Sequence, residues 1–177
     1  MKNFGLLLFV LVLAIAASAQ QDINFSNLPD VSNPTPLPLG YQSLNWSCLF
    51  YVDPGKWSGS GPGFDRRNHI AGTDVAFGPG SCAGPAGSSS ISSVDGRGFQ
   101  LLSATAAAGY SNMSLTVMAY NHGIYVGSDT FLLTTDTQVL NFPPAWGYIT
   151  QAVLQGSGTL VLYDVQVNNN QTQSGGQ

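Results

Sequence analysis

The chain has 177 residues, 44% apolar and only 8% charged, against about 25% charged in ordinary soluble domains, so helical architectures held by surface salt bridges are poorly supported. All nine acids are Asp, and five Lys and Arg leave a net charge of −4, which lacks the basic footprint that nucleic-acid binding needs. With no Glu and almost no Lys, two strong helix formers are missing, while Gly, Ser, Thr, Val and Tyr are plentiful, so the composition predicts an all-β fold in a single domain.

Residues 1–19 read as a secretory signal peptide: Lys2 is the positive start, residues 6–15 the apolar run, and Ala17-Ser18-Ala19 the small-residue cleavage site. Removing them leaves net charge −5, and neither a second apolar segment nor an anchor signal follows. The expected product is secreted and extracellular, with no membrane partner and monomeric. Residues 20–40 carry Pro34, Pro36 and Pro38, which cannot hold a central strand because proline removes a ladder donor; an extended lead-in is predicted.

The sandwich proper is expected over residues 41–167. In residues 41–52, Leu44, Trp46, Cys48, Phe50 and Val52 fall on one face and Ser43, Asn45 and Ser47 on the other, the period of a strand with one wet side. Residues 53–98 are loop-rich, punctuated by Gly55, Gly59, Gly61, Gly63, Gly78 and Gly80, with short strands near 73–77 and 89–94. Longer strands follow at 99–107, 113–120 and 124–134, with turns at 109–112 and 121–123, then at 138–142, 147–154 and 159–167. Eight or nine strands at this spacing suit an antiparallel β-sandwich, and residues 168–177 form a polar tail.

Cys48 and Cys82 are the two cysteines, and an even count in an oxidising compartment reads first as one disulfide, with two buried thiols as the alternative. The bridge would contribute about 3–4 kcal/mol on the chain-entropy model. Acceptor sequences for N-glycans stand at Asn24, Asn45, Asn112 and Asn170.

The order of motifs, Asn24-Phe-Ser-Asn-Leu28, residues 40–46 ending in Trp46, Tyr51-Val-Asp53, residues 99–104, residues 115–120, Trp146 and the closing Tyr163-Asp-Val-Gln-Val167, resembles the galactose-binding-like jelly-roll sandwiches of secreted fungal and exported bacterial proteins. It is similar, more distantly, to non-catalytic carbohydrate-binding modules of that fold. The resemblance implies a jelly roll, and in calcium-bearing relatives it implies a structural Ca2+ held by an acid of the last strand, here Asp164, with groups near Asn24. No other cofactor is implied.

Sugar recognition needs aromatic rings for the apolar face of a pyranose and short polar side chains for its hydroxyls. The loop-borne candidates are Trp57, Tyr110, Asn121 and His122, with Asp65 and Arg66 beside them; Trp57 can equally pack across a sandwich edge, while Trp46 and Trp146 read as core. Catalytic motifs are missing from the sequence: there is no Gly-x-Ser-x-Gly elbow, and neither His69 nor His122 has a ligand partner at zinc spacing. Asp53, Asp65, Asp74 and Asp95 share the loop-rich half, which leaves an acid pair for glycoside hydrolysis as a third reading. The leading expectation is a non-catalytic protein that binds a cell-wall polysaccharide or other glycan; the second is an effector with a protein partner.

Overall fold

The computed structural model describes residues 20–64, 74–78 and 88–169. The expected signal peptide, Asp65, Arg66, His69, Cys82 and Asn170 lie outside the described residues.

Two antiparallel sheets make a jelly-roll β-sandwich. The larger sheet runs β10 (Gln138–Asn141), β7 (Phe99–Ala108), β12 (Leu160–Asn169), β5 (Val75–Gly78), β4 (Phe50–Val52), β2 (Thr35–Pro36), and β1 (Gln20–Ile23) also pairs with β12. The smaller sheet runs β3 (Leu44–Ser47), β6 (Ser88–Ser93), β11 (Gln151–Gly156), β8 (Met113–Asn121), β9 (Ile124–Leu133). β5 and β1 share one edge of β12, β5 on Leu160–Leu162 and β1 on Val165–Asn168. The proline-rich lead-in contributes only β1 and the two-residue edge strand β2, in keeping with the lost donors.

The single strand expected over 41–52 is in fact two. Residues Tyr41–Ser43 form a 3-10 turn, β3 joins the smaller sheet, and Cys48, at φ 56, turns the chain across to β4 in the larger one. The alternation therefore slips: Leu44, Trp46, Leu49 and Tyr51 enter the inter-sheet core, whereas Val52 and Phe50 belong to a separate cluster. A one-residue offset exchanges the two faces of a strand, and the left-handed residue supplies the offset.

The main core lies between the sheets. Trp46 packs edge-on against Phe25, with ring centroids 5.6 Å apart, and its Nε1 donates to the Tyr41 carbonyl at 2.9 Å. Trp146 stacks on Phe142 at 5.7 Å, so both tryptophans read as core in the sequence are buried. A second apolar layer covers the other face of the larger sheet. Within β5, Ala76 joins the main core while Val75 and Phe77 face away, and in β12 Leu160 and Leu162 alternate likewise with Val161 and Tyr163. Phe64 and Trp57 cap those outward residues. The glycine-rich excursion thus carries a small core of its own.

Candidate functional site

The sequence-derived binding residues divide between the two ends of the sandwich. Trp57 lies 5.3 Å from Phe77 in a stacked pair and 5.2 Å from the edge of Phe64, and Phe64 in turn lies 5.8 Å from Tyr110. The Tyr110 hydroxyl donates to the Gly59 carbonyl at 2.8 Å. A Cβ on Gly59 would fall 2.7 Å from the Trp57 ring, so one stacked phenylalanine, one edge-on phenylalanine and a close backbone hold the indole. Trp57 and Tyr110 therefore share one aromatic cluster. Asn121 ends β8 and His122 follows it, at the far end of a strand whose nine residues span about 30 Å. Both are exposed, and the His122 amide donates to Thr150 Oγ1 at 2.8 Å. No single surface gathers all four.

The resemblance-implied ion position can be tested on register. The last β1–β12 pair is Ile23↔Val165, so the next positions along the two strands are Asn24 and Asp164. Asn24 Oδ1 is engaged locally, accepting from the Ser26 amide at 3.2 Å and the Ser26 hydroxyl at 2.7 Å. Asp22 is close enough to Asp164 that burial and then this like charge raise its carboxyl above the ordinary range. Calcium takes six to eight oxygens. At this position the described residues offer two carboxylates and an amide oxygen already engaged by Ser26, and among the described residues no group of three His, Cys, Asp or Glu could hold a metal.

A second acidic group gathers under the excursion. Asp53 and Asp74 follow directly on the Val52↔Val75 pair and are buried, 4% and 5% exposed. Asp53 Oδ1 accepts from the Gly55 amide at 2.8 Å, and Lys56 Nζ lies 3.7 Å from Asp53 Oδ2 while pairing with Asp30. Burial, with the charges of Asp30 and Asp53 added, pushes the Asp74 carboxyl up to about 6 against the pull of Lys56. Paired carboxyls are what glycoside hydrolysis uses, but both of these are buried by the surrounding chain. They read as a structural cluster.

Among the described residues, the register assembles the outer face of the smaller sheet into cross-strand rows of uniform chemistry. One row is Asn45, Ser92, Gln151, Tyr120 and Tyr125; the next is Ser47, Ser90, Val153, Met118 and Ser128; a third is Ser88, Gln155, Thr116 and Thr130. The intervening rows, including Trp46, Ile91, Ala152 and Ala119, point into the core. These outward rows contain no charged side chain. Tyr120 and Tyr125 meet edge-to-face at 5.8 Å, Tyr125 donates to Ser128 Oγ at 2.8 Å, and the Thr116 and Thr130 hydroxyls are 3.0 Å apart. Asp129 falls in register with the core-facing Val117, off this face. Half of the pattern was already in the sequence, since Met113, Leu115, Val117 and Ala119 leave Ser114, Thr116, Met118 and Tyr120 for the other side. Which strands lie beside β8 was not.

The glycan acceptors Asn24 and Asn112 are exposed, and Asn45 is half-buried with its Oδ1 accepting from the Gly40 amide at 3.2 Å. Cys48 is disulfide-bonded. We propose Cys82 as its partner: under denaturing conditions without reductant neither thiol should alkylate, and mass spectrometry should show both sulfurs gaining hydrogen only on reduction. Alkylation of both without reductant would refute it.

The fold and this face define a class, the two-sheet jelly-roll sandwich with an uncharged polar outer face. No family model matches the sequence, and no curated protein matches it. Among solved structures the chain is similar to a DUF4465 family protein from Bacteroides caccae, with TM-score 0.56, 9% identity, and coverage of 90% of this chain and 97% of that one. It also matches a CBM4 structure with TM-score 0.32 and 19% identity, covering 68% of this chain and 85% of that one. The first likeness is one of fold. Among the described residues no helix is long and apolar enough to cross a membrane.

Proposed function

We propose that this is a secreted, non-catalytic recognition protein that binds a neutral glycan, most plainly a cell-wall polysaccharide, across the outer face of its smaller sheet. The observation that carries the reading is the absence of charge from three successive cross-strand rows rich in hydroxyls and carboxamides. Such groups both donate and accept, which suits sugar hydroxyls, and the Tyr120–Tyr125 pair supplies ring surface for the apolar face of a pyranose. An ionic polymer would find no counter-charge here. A glycan on Asn45 would stand at the β3 end of the first row, so binding is best measured on protein with that acceptor unoccupied.

The test is retention on insoluble neutral polysaccharides together with a glycan array. Wild type should be retained. Tyr120→Ala and Thr116→Asp should each weaken binding about tenfold or more, the second by burying a charge against uncharged hydroxyls. Absence of retention on every polymer would reject the reading. Trp57→Ala separates the sheet face from the Trp57–Tyr110 cluster: loss of binding at unchanged stability would place the site in the glycine-rich excursion.

A protein partner is the second reading, favoured by β9. This edge strand exposes Ile124, Tyr125, Val126 and Leu132, and an unpaired apolar edge is a template for strand addition. A co-purifying polypeptide that sugars do not displace would support it.

A further inference from the structure

A cleft of about 310 Å³ opens where Gly40–Leu44, the β6–β7 connection and the end of β12 meet, at the opposite end of β7 from Tyr110. We propose that this cleft binds a single neutral sugar residue, free or at a chain end; the inference rests on the glycan-recognition reading and adds a second site to it.

Four observations carry the proposal. The volume lies at the lower bound of small-ligand sites, about 300–1,000 Å³, which suits one ring rather than a polymer. The charges within it cancel: Arg97 Nε lies 3.5 Å from Asp95 Oδ2, and the Arg97 amide donates to Asp95 Oδ1 at 3.0 Å. An ionic ligand would have to compete with that pair, whereas a hydroxyl can donate to the carboxylate and accept from the guanidinium at once. The remaining wall joins hydrogen-bonding groups, Ser43 and Asn169, to an apolar patch where Val94 is 53% exposed, the mixture that a pyranose with one polar rim and one C–H face requires. Gly40 keeps its side open: it stands at φ +72, and an added Cβ would meet nothing nearer than Val94 Cγ2 at 3.9 Å.

The cleft is also placed to act with the outer face. Leu44↔Ser93, in its wall, is the pair next to Asn45↔Ser92, which begins the first uncharged row. A site for one ring at the end of a surface for a chain would give preference for chain ends.

The experiment is an amide-resolved NMR titration of the folded chain with the methyl glycosides of glucose, galactose, mannose and N-acetylglucosamine, and with glucuronate. At least one neutral glycoside should give saturable shifts at Gly40, Asp95, Arg97 and Gly98, leaving Thr116 and Thr130 unmoved. Val94→Trp, a change at an exposed position, should fill the cleft and weaken binding about tenfold or more. Asp95→Asn removes one carboxylate facing the guanidinium, and glucuronate should then give larger shifts relative to the neutral glycoside than it does with wild type. The inference is overturned if no neutral glycoside gives saturable shifts there, or if Val94→Trp binds as wild type does. Retention on polysaccharide without cleft shifts would remove this site and leave the proposed function standing; cleft shifts without retention would do the reverse.

Discussion

Replacing Asp74 by Asn should stabilise the protein at pH 7 and flatten its acid response. The Asp74 carboxyl is buried beside Asp53 and Asp30 and is pushed up to about 6 from 3.8. A carboxyl with a raised folded-state pKa takes up its proton in the folded state first, so between about pH 4 and 6 the native protein binds more protons than the unfolded chain, and stability falls as pH rises through that window. Above the folded-state value the full cost of holding the ionised group is present; below the unfolded-state value it is gone. At about 1.4 kcal/mol per pKa unit the cost reaches at most about 3 kcal/mol, and burying a carboxamide in its place will offset part of the gain. The measurement is the urea midpoint of both proteins from pH 4 to 8. Their difference should grow with pH and level off above about 6. Parallel curves would show that Asp74 is not held in this state.

The second large effect is expected from Gly63→Ala. A Cβ there would lie 1.8 Å from the Ala108 carbonyl oxygen and 2.6 Å from its carbon, both backbone, so neither partner can yield by turning a side chain. The same residue is tied on both sides: its amide donates to the Gly109 carbonyl at 3.0 Å, and its carbonyl accepts from the buried Tyr163 hydroxyl at 2.5 Å. Pushing the Pro62–Phe64 turn away from the end of β7 would lift Phe64 and, with it, Trp57 from Phe77. Overpacking costs about 1–3 kcal/mol and sometimes more; here the upper end is expected, a fall in Tm of roughly 10 °C for a domain of this size. Gly123→Ala is the control, because Gly123 has positive φ and open space around its missing Cβ, leaving only about 1–2 kcal/mol of backbone strain. If Gly63→Ala loses no more than Gly123→Ala, the excursion is not packed as described.

Local chemistry made much of the molecule legible. Prolines at 34, 36 and 38 ruled out a central strand there, and the structure has only the two-residue edge strand β2 among them; the alternation of Met113–Asn121 marked a half-buried strand whose burial follows it residue by residue. The break at Cys48 was only partly legible: alternation holds over residues 44–48 and gives way to a continuous apolar run at 48–52, but only the left-handed backbone at Cys48 reveals the change of sheet. Trp57 shows the same limit in reverse: its glycine neighbours offered no local cover, yet Phe64 and Phe77 supply it from elsewhere in the chain.

Composition alone determined an all-β chain poor in charge, because strand formers and missing Glu and Lys act residue by residue. Only the tertiary structure decided where that lack of charge would matter. Serines at 88, 90 and 92, glutamines at 151 and 155, and the hydroxyls of β8 and β9 are far apart in sequence and become one face through strand order and register. Those are set by nonlocal pairing and by which side of each strand the core takes. The same pairing brought Asp53 and Asp74 under one cover, where burial and neighbouring acids push the Asp74 carboxyl up to about 6.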